Sequence, residues 1–326
     1  MTLSTTPSFL VFGAGGHIGG PAAEWLAERH PTAHVRVVTS RADKAAELAA
    51  RHPGAEVMVA SYLNAEDMKA AFDGIDAAFV ITPDFLDEET GMGNVVSAVQ
   101  SSGKLTRLIR LIGDPPGLRD EHEVEDAMAG YDAGTAVQHL RARKVLATDG
   151  VPVVFMNVAA WFMNDFSEFL LPPIVNRRTF VMPYDRVMNF IDARDIGRAA
   201  AELLLDPSLT EVGQTVHLHN GIDSMIPFSQ VAKIMTEAFD VPIAYDGSEE
   251  AFLRDLGDSF REYYRRDDAA EYFLAYCKFE LGHVQRLGDD LLGGEPDFTP
   301  EKLGFAARSF RDWLVAHRDV FIPPRT

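Results

Sequence analysis

Five glycines occupy eight consecutive positions near the start of the chain, in the stretch FGAGGHIGGPAAEW (residues 12–25). An apolar run comes before them and a helical pattern comes after them, which predicts a tight turn from strand to helix. Gly13, Gly16 and Gly19 are suited to a sharp turn, to close approach of a diphosphate, and to close helix–strand packing. Pro21 fits the first turn of the helix, where its missing N–H loses no hydrogen bond. The alternative is a flexible turn without a ligand, which this position after the first strand disfavours.

Strand–helix alternation continues through the first half of the chain. The predicted strands are short apolar runs, and the predicted helices carry one apolar face. We expect strands at residues 9–12, 35–39, 57–60, 77–81, 105–112 and 151–157, and helices at 42–51, 65–72, 93–101 and 136–148. Strands that are apolar on both faces are typical of a parallel sheet covered by helices. The expected fold class is therefore α/β: a doubly wound parallel Rossmann sheet with a smaller C-terminal α+β lobe.

The charge of the chain limits its partners. A formal net charge of -19 over 326 residues excludes extended contact with nucleic acid and disfavours an anionic membrane surface. Cys277 is the single cysteine, so an internal disulfide and a multi-cysteine metal site are excluded. No apolar run is long enough to span a bilayer, and the first residues lack the pattern of a secretory signal. We expect a cytoplasmic protein with a small-molecule substrate, with no metal, and with the capacity to form a homodimer.

The end of the second strand predicts which dinucleotide binds. The sequence there is VVTSRADK (residues 37–44), with Ser40 and Arg41 where an NAD site usually places an acid. A guanidinium can bind the 2′-phosphate that distinguishes NADP(H) from NAD(H). The alternative is a surface arginine that caps the strand. Asp43 lies further on, in the predicted helix, and is less well placed for the ribose.

The predicted domains follow from this interpretation. Residues 1–158 are expected to form an NADP(H)-binding Rossmann domain, to which a strand and helix from about residues 186–219 return. Residues 159–185 and 220–326 are expected to form a smaller substrate-binding lobe. Between them, residues 114–134 contain prolines, glycines and acids and predict a long loop or flap.

Motifs along nearly the whole chain resemble the NmrA-like atypical short-chain dehydrogenases, a family that includes bacterial NADPH-dependent quinone reductases. The motifs are GAGGHIG, TSRADK, ASYLNAEDMKAAFDGIDAAFVITP, HLRARKVLATDGVPVVFMNVAAWFMN, NFIDARDIGRAAAELL and GFAARSFRDWLVAH. The chain departs from the usual dehydrogenase pattern at Tyr131, because Thr135 stands where the lysine of Tyr-x-x-x-Lys would be. The usual strand-end serine is replaced by Ile112-Gly113.

The glycine turn, the second strand and this resemblance together predict the cofactor-binding residues. Tyr62 would cover the adenine face or would pack against the second helix. Thr82 and Pro83 would border the diphosphate and the ribose, and Asn157 replaces a strand-end arginine of the family. The full predicted set is Gly13, Gly15, Gly16, His17, Ile18, Gly19, Ser40, Arg41, Tyr62, Leu63, Thr82, Pro83 and Asn157.

The resemblance also supplies the catalytic and substrate-binding candidates. His139 stands where related reductases face the nicotinamide, and it would donate a proton, anchor the cofactor's amide, or bind a backbone carbonyl without a catalytic role. Tyr131 would act as a proton donor from the flap or would be an ordinary loop tyrosine. The candidates for the substrate pocket are Trp161, Phe162 and Asn164, although both aromatic residues would equally suit a core.

The resemblance implies an NADPH-dependent reductase of a small conjugated or aromatic carbonyl compound, quinone- or enone-like. Hydride transfer would proceed without the Ser-Tyr-Lys set, mainly through positioning of the reactants. Two alternatives stay open: a non-catalytic NADP(H)-binding redox sensor, and a non-redox isomerase or cyclase on the same fold.

Overall fold

The computed structural model describes residues 6–114, 121–131, 134–148, 150–223, 225–287 and 296–323. The strands are β1 (Ser8–Phe12), β2 (His34–Thr39), β3 (Glu56–Val59), β4 (Ala77–Val80), β5 (Arg107–Ile112), β6 (Val153–Asn157), β7 (Trp161–Phe162), β8 (Thr179–Val181), β9 (Val187–Met188), β10 (Phe190–Ile191), β11 (Thr215–His217), β12 (Ile226–Pro227) and β13 (Ala244–Asp246).

The α-helices follow the same chain order. They are α1 (Gly19–Arg29), α2 (Ala45–Arg51), α3 (Ala65–Phe72), α4 (Glu88–Ser102), α5 (Glu121–Ala127), α6 (Thr135–Leu146), α7 (Leu171–Arg177), α8 (Ala193–Leu205), α9 (Phe228–Phe239), α10 (Glu249–Tyr264), α11 (Ala269–Leu287), α12 (Phe310–Ala316) and α13 (Arg318–Phe321).

The described chain forms two compact units. The first consists of the described residues within Met1–Gly113, Gln138–Val158 and Arg194–Leu218. It contains a seven-stranded sheet in the order β11-β6-β5-β4-β1-β2-β3, in which every pair of neighbours is parallel. The structure therefore confirms the predicted doubly wound Rossmann sheet. Because the strands are parallel, the loops that follow them all lie at one edge, where such sheets bind ligands.

Apolar side chains hold the first unit together. All five residues of β1 are buried, as are all of β4, β5 and β6. The core on one face contains Phe12, Phe72 and Leu108 with little or no exposure. The Asn64 side chain accepts hydrogen bonds from the first turn of α3 and fixes where that helix begins. Gly103 ends α4 in the left-handed conformation that favours glycine.

The second unit consists of the described residues within Asp114–Val137, Ala159–Ala193 and His219–Thr326. Its strands form three short pairs, β10-β7, β12-β9 and β13-β8. Aromatic side chains dominate its core, and the Phe166 ring packs on Phe180 and Phe310 at centroid distances of 5.4 and 4.8 Å.

The segment predicted as a loop or flap, residues 114–134, contains the helix α5. Val124 and Met128 lie four residues apart, so they share one helical face, and both are buried. The acidic residues around them are mostly exposed, and they make this short pattern of apolar residues difficult to recognise in the sequence. Residues 115–120, which contain the prolines of this segment, and residues 132–133 lie outside the described residues.

Within the described ranges, no helix is both long and apolar enough to cross a membrane. The same residues contain no group of three or more histidine, cysteine, aspartate or glutamate side chains that could hold a metal ion.

Candidate functional site

The glycine turn between β1 and α1 needs at least two of its glycines for steric reasons. Gly13 adopts a φ of +67°, and a Cβ added there would lie 2.8 Å from Ile81 Cγ2. A Cβ added at Gly19 would lie 2.5 Å from the backbone carbon and oxygen of Gly13. Gly15, by contrast, faces open space, and a Cβ there would meet nothing within 4 Å. The turn is therefore tightly packed toward the sheet and open on its outer side.

The start of α1 suits an anion. The N-cap residue, Ile18, provides no side-chain hydrogen bond to the first turn. Within that turn Gly20 N donates to Gly16 O and Ala22 N donates to Ile18 O, and Pro21 has no N–H. The side chain of Ile18 is buried, whereas Gly16 and His17 are exposed. N–H groups at a helix start, together with the helix dipole, favour phosphate oxygens.

The end of β2 carries an exposed ion pair that the sequence did not predict. Arg41 donates from Nε and Nη2 to the two carboxylate oxygens of Asp43, at 3.2 and 2.6 Å. These bonds raise the pKa of Arg41 and lower the pKa of Asp43. Ser40 is exposed beside this pair. Arg41 therefore lies at the predicted edge of the sheet, with two of its donors bound to a neighbouring acid.

Tyr62 and Leu63 follow β3 and have different environments. The Tyr62 ring is stacked on Phe12 at a centroid distance of 4.6 Å, and its hydroxyl donates to Ile81 O at 2.9 Å. Burial raises the pKa of this hydroxyl well above its usual value. Leu63 is 50% exposed, which is unusual for a large apolar side chain in this unit. Contact of either residue with adenine stays a prediction.

A buried polar network joins α4, β5 and α6 at the same edge. Arg110 donates to Glu88 Oε1 at 2.7 Å, and both side chains are almost fully buried, with 1% and 0% exposure. Arg110 also donates to the predicted residue Thr82, at 2.7 Å. Gln138 donates to Pro83 O at 2.9 Å and to Glu88 Oε2 at 3.3 Å.

Gln138 also fixes an unusual backbone conformation. Its Oε1 accepts a hydrogen bond from the N–H of Phe85, which adopts a positive φ of 64°. Residues other than glycine rarely adopt a positive φ unless surrounding contacts hold them in it. The loop after β4, which contains Thr82 and Pro83, is therefore fixed by side chains from β5 and α6.

His139 follows Gln138 and lies beside the end of β5. The N–H of Gly113 donates to Nδ1 of His139 at 2.8 Å, so Nδ1 carries no proton and the neutral ring carries its proton on Nε2. Burial and the positive charges of Arg110 and Arg143 lower the pKa of His139 to about 3. At neutral pH the ring is therefore uncharged: it can donate a hydrogen bond from Nε2, but it cannot release a proton as an imidazolium.

Asn157 ends β6 and is bound to the neighbouring strand. Its side-chain nitrogen lies 3.2 Å from Nδ1 of His217 in β11, and its backbone oxygen accepts from Leu218 N. The residue is 3% exposed. The cofactor-binding role of Asn157 stays a prediction.

The remaining predicted residues belong to the second unit. Tyr131 packs edge-on against Tyr272, and burial together with Asp268 and Glu271 raises its pKa, so it keeps its proton at neutral pH. Trp161 is 9% exposed and packs near Phe228, while Phe162 is partly buried. Their roles stay predictions.

Asn164, the third substrate-binding candidate, shows one feature expected of a ligand anchor. Its Oδ1 is buried and has no hydrogen-bond partner among the residues that the structure describes. A buried acceptor without a donor is uncommon and calls for a partner.

The structure thus gathers the predicted cofactor-binding residues and His139 within the first unit, and it places Tyr131, Trp161, Phe162 and Asn164 in the second. Sequence reasoning missed Glu88, Arg110, Gln138 and the Asp43 pairing. One signal was available: arginines within the apolar strand RLIRLI require buried partners.

Comparisons with known proteins agree with this architecture. A family model described as "NmrA-like family" matches residues 5–273. A (4-alkanoyl-5-oxo-2,5-dihydrofuran-3-yl)methyl phosphate reductase of Streptomyces griseus subsp. griseus is 22% identical over 318 residues, which cover 96% of this chain and 99% of that protein.

Two solved structures show the same fold. An NADPH-dependent quinone oxidoreductase of Escherichia coli, complexed with NADPH, is 18% identical, with a TM-score of 0.71 and coverage of 95% of this chain and 99% of that one. A triphenylmethane reductase of Citrobacter sp., complexed with NADP(H), is 19% identical, with a TM-score of 0.70 and the same coverage.

Proposed function

This chain belongs to the NmrA-like family, and from that premise we propose that it is an NADPH-dependent reductase of small conjugated or aromatic carbonyl compounds, quinone- or enone-like. The names of its relatives support a reductase: one acts on an oxo-dihydrofuran phosphate, one on quinones and one on triphenylmethane compounds. Two of these structures contain NADPH or NADP(H).

The observation that carries the proposal is the order of groups along the carboxyl edge of the sheet. From β2 through β1 and β4 to β5, the strand ends present Arg41, the glycine turn, Thr82 with Pro83, and Gly113 with His139. Arg41 would hold the 2′-phosphate, and the open side of the glycine turn would hold the diphosphate. Thr82 and Pro83 would border the ribose, and His139 would then lie beside the nicotinamide.

The bound coenzyme would supply a hydride to the acceptor carbon. His139 would donate a hydrogen bond from Nε2 to the acceptor oxygen as negative charge develops there, or to the nicotinamide amide. Since the ring is neutral with a pKa of about 3, the proton that completes the reduction would come from another donor, such as solvent. Burial and Arg110 keep His139 uncharged, and Gly113 keeps it in this tautomer.

The proposal predicts protein-dependent consumption of NADPH with at least one conjugated acceptor. The measurement is absorbance at the reduced-nicotinamide band with a panel of quinones and enones, and saturated ketones of matched size serve as controls. The His139→Gln variant should bind NADPH but lose about tenfold or more in kcat, because it loses a positioned donor.

The absence of the Tyr-x-x-x-Lys pair at Tyr131 and Thr135 favours the alternative of a redox sensor. If the protein binds NADPH and NADP⁺ tightly but turns over no acceptor, the assignment as a reductase is wrong and the redox sensor is favoured. Release of an isomerised or cyclised product without net NADPH consumption would support non-redox chemistry.

A further prediction concerns the choice of coenzyme. The Arg41→Ala variant should bind NADPH about ten- to a hundredfold more weakly and bind NADH almost unchanged, because only NADPH offers a second anion to the guanidinium. The Asp43→Asn variant should bind NADPH up to about fivefold more tightly, since Asp43 occupies two donors of Arg41 and exposed pairs are weak. Calorimetric titration of both coenzymes measures this, and equal losses for NADPH and NADH in Arg41→Ala would contradict the assignment.

A further inference from the structure

Three successive carbonyl oxygens of the glycine turn are bound by partners within the protein. Gly13 O accepts from Gly16 N at 2.9 Å. Ala14 O lies 3.0 Å from Nε2 of His52, in a buried contact. Gly15 O accepts from Nη1 of Arg51 at 3.1 Å. Because a carbonyl oxygen only accepts, Nε2 of His52 must carry the proton in this contact.

The two side chains that reach the turn come from the end of α2. Arg51 is the last residue of that helix and His52 caps it. Nε of Arg51 donates to Glu24 Oε1 of α1 at 3.1 Å, so the guanidinium is held from both sides. None of these residues belongs to the glycine motif, and none is among the residues predicted to contact the coenzyme.

The glycine at position 20 is a second observation that points to the contact between Arg51 and the glycine turn. The three-glycine motif ends at Gly19 and does not explain the glycine that follows it. A Cβ added at Gly20 would lie 2.2 Å from Nη2 and 2.6 Å from Cζ of Arg51, and 3.0 Å from Ala14 O. The guanidinium therefore occupies the space that any side chain at position 20 would need.

We propose that Arg51 and His52 are positioning residues for the diphosphate: they hold the carbonyl oxygens of Gly15 and Ala14 toward the protein, and Gly20 provides the space for Arg51. This inference rests on the proposed function, because it assumes that the turn binds a dinucleotide. A trans peptide is planar, so fixing its oxygen also fixes the direction of the next N–H. Binding of Ala14 O by His52 directs the N–H of Gly15 away from His52. The N–H that follows Gly15 O, that of Gly16, donates to Gly13 O, so Arg51 acts by holding Gly15 O, which would repel the phosphates if it faced them.

The first test compares two ligands in the Arg51→Ala variant of the full chain. NADP⁺ carries the diphosphate, whereas adenosine 2′-phosphate carries the 2′-phosphate without it. We expect Arg51→Ala to bind NADP⁺ about tenfold more weakly and adenosine 2′-phosphate with unchanged affinity. Arg51→Lys should recover part of the loss, because an ammonium can donate to the same carbonyl. Arg29→Ala removes an exposed positive charge at the other end of α1, where Arg29 pairs with the buried Glu202 of α8, and serves as the matched control.

The second test uses Gly20 in a double-mutant cycle. Gly20→Ala should weaken NADP⁺ binding in the wild-type background, because the new Cβ displaces the guanidinium. In the Arg51→Ala background the same change should cost clearly less, because only the tight contact of the new Cβ with Ala14 O remains. Equal losses for both ligands, additive effects of the two changes, or no effect of Arg51→Ala on NADP⁺ would overturn the inference. Failure of the wild-type protein to bind NADP⁺ would instead count against the proposed function.

Discussion

Replacement of Glu88 with alanine is expected to lower the free energy of unfolding by about 3–5 kcal/mol. Glu88 and Arg110 form an ion pair in which neither side chain has more than 1% exposure. Removing the carboxylate leaves a buried guanidinium without its counter-ion, and Nε of Arg110 already has no hydrogen-bond partner among the described residues. Gln138 would also lose one of its acceptors.

Glu89→Ala is the matched control, because Glu89 is exposed in the same first turn of α4. It removes the same charge at the same helix end and should cost only about 0.3–1 kcal/mol. Urea unfolding of both variants measures the difference. A Glu88→Ala variant no less stable than Glu89→Ala would show that the buried pair is not required for the fold.

Acidification is expected to destabilise the protein through His139, by about 2 kcal/mol between about pH 6 and pH 4. The folded-state pKa of about 3 lies below the ordinary value of 6.5. The unfolded chain therefore binds a proton in this window that the folded chain does not bind. Stability from the neutral ring is fully present above about pH 6.5 and is lost as the pH falls toward 3.

The measurement is the free energy of unfolding as a function of pH in the wild type and in His139→Gln. The variant cannot titrate at this position, so its stability should fall less steeply over the same window. Other groups titrate equally in both proteins and cancel in the difference. Parallel curves would show that the imidazole is not held neutral by burial and its charged neighbours.

Local sequence information was sufficient for the sheet and for the glycine turn. The strand–helix alternation predicted the parallel sheet, because apolar runs and helical faces arise from residues close together in the chain. The conformation of Gly13 and the packing at Gly19 were likewise predictable, since each follows from the motif itself. Arg41 was placed at the correct strand end for the same reason.

The charge states and the supporting contacts were decided by tertiary structure. Gln138 meets Glu88 across 50 positions and Thr82 meets Arg110 across 28, and no periodic pattern encodes such pairs. His139 is neutral because it is buried and lies beside Arg110, and the N–H of Gly113 sets its tautomer. Burial and the positions of distant charges determine a pKa, and both exist only once the chain is folded. The sequence alone therefore predicted a dinucleotide site at the glycine turn, and the fold determined the tautomer and the charge state of His139.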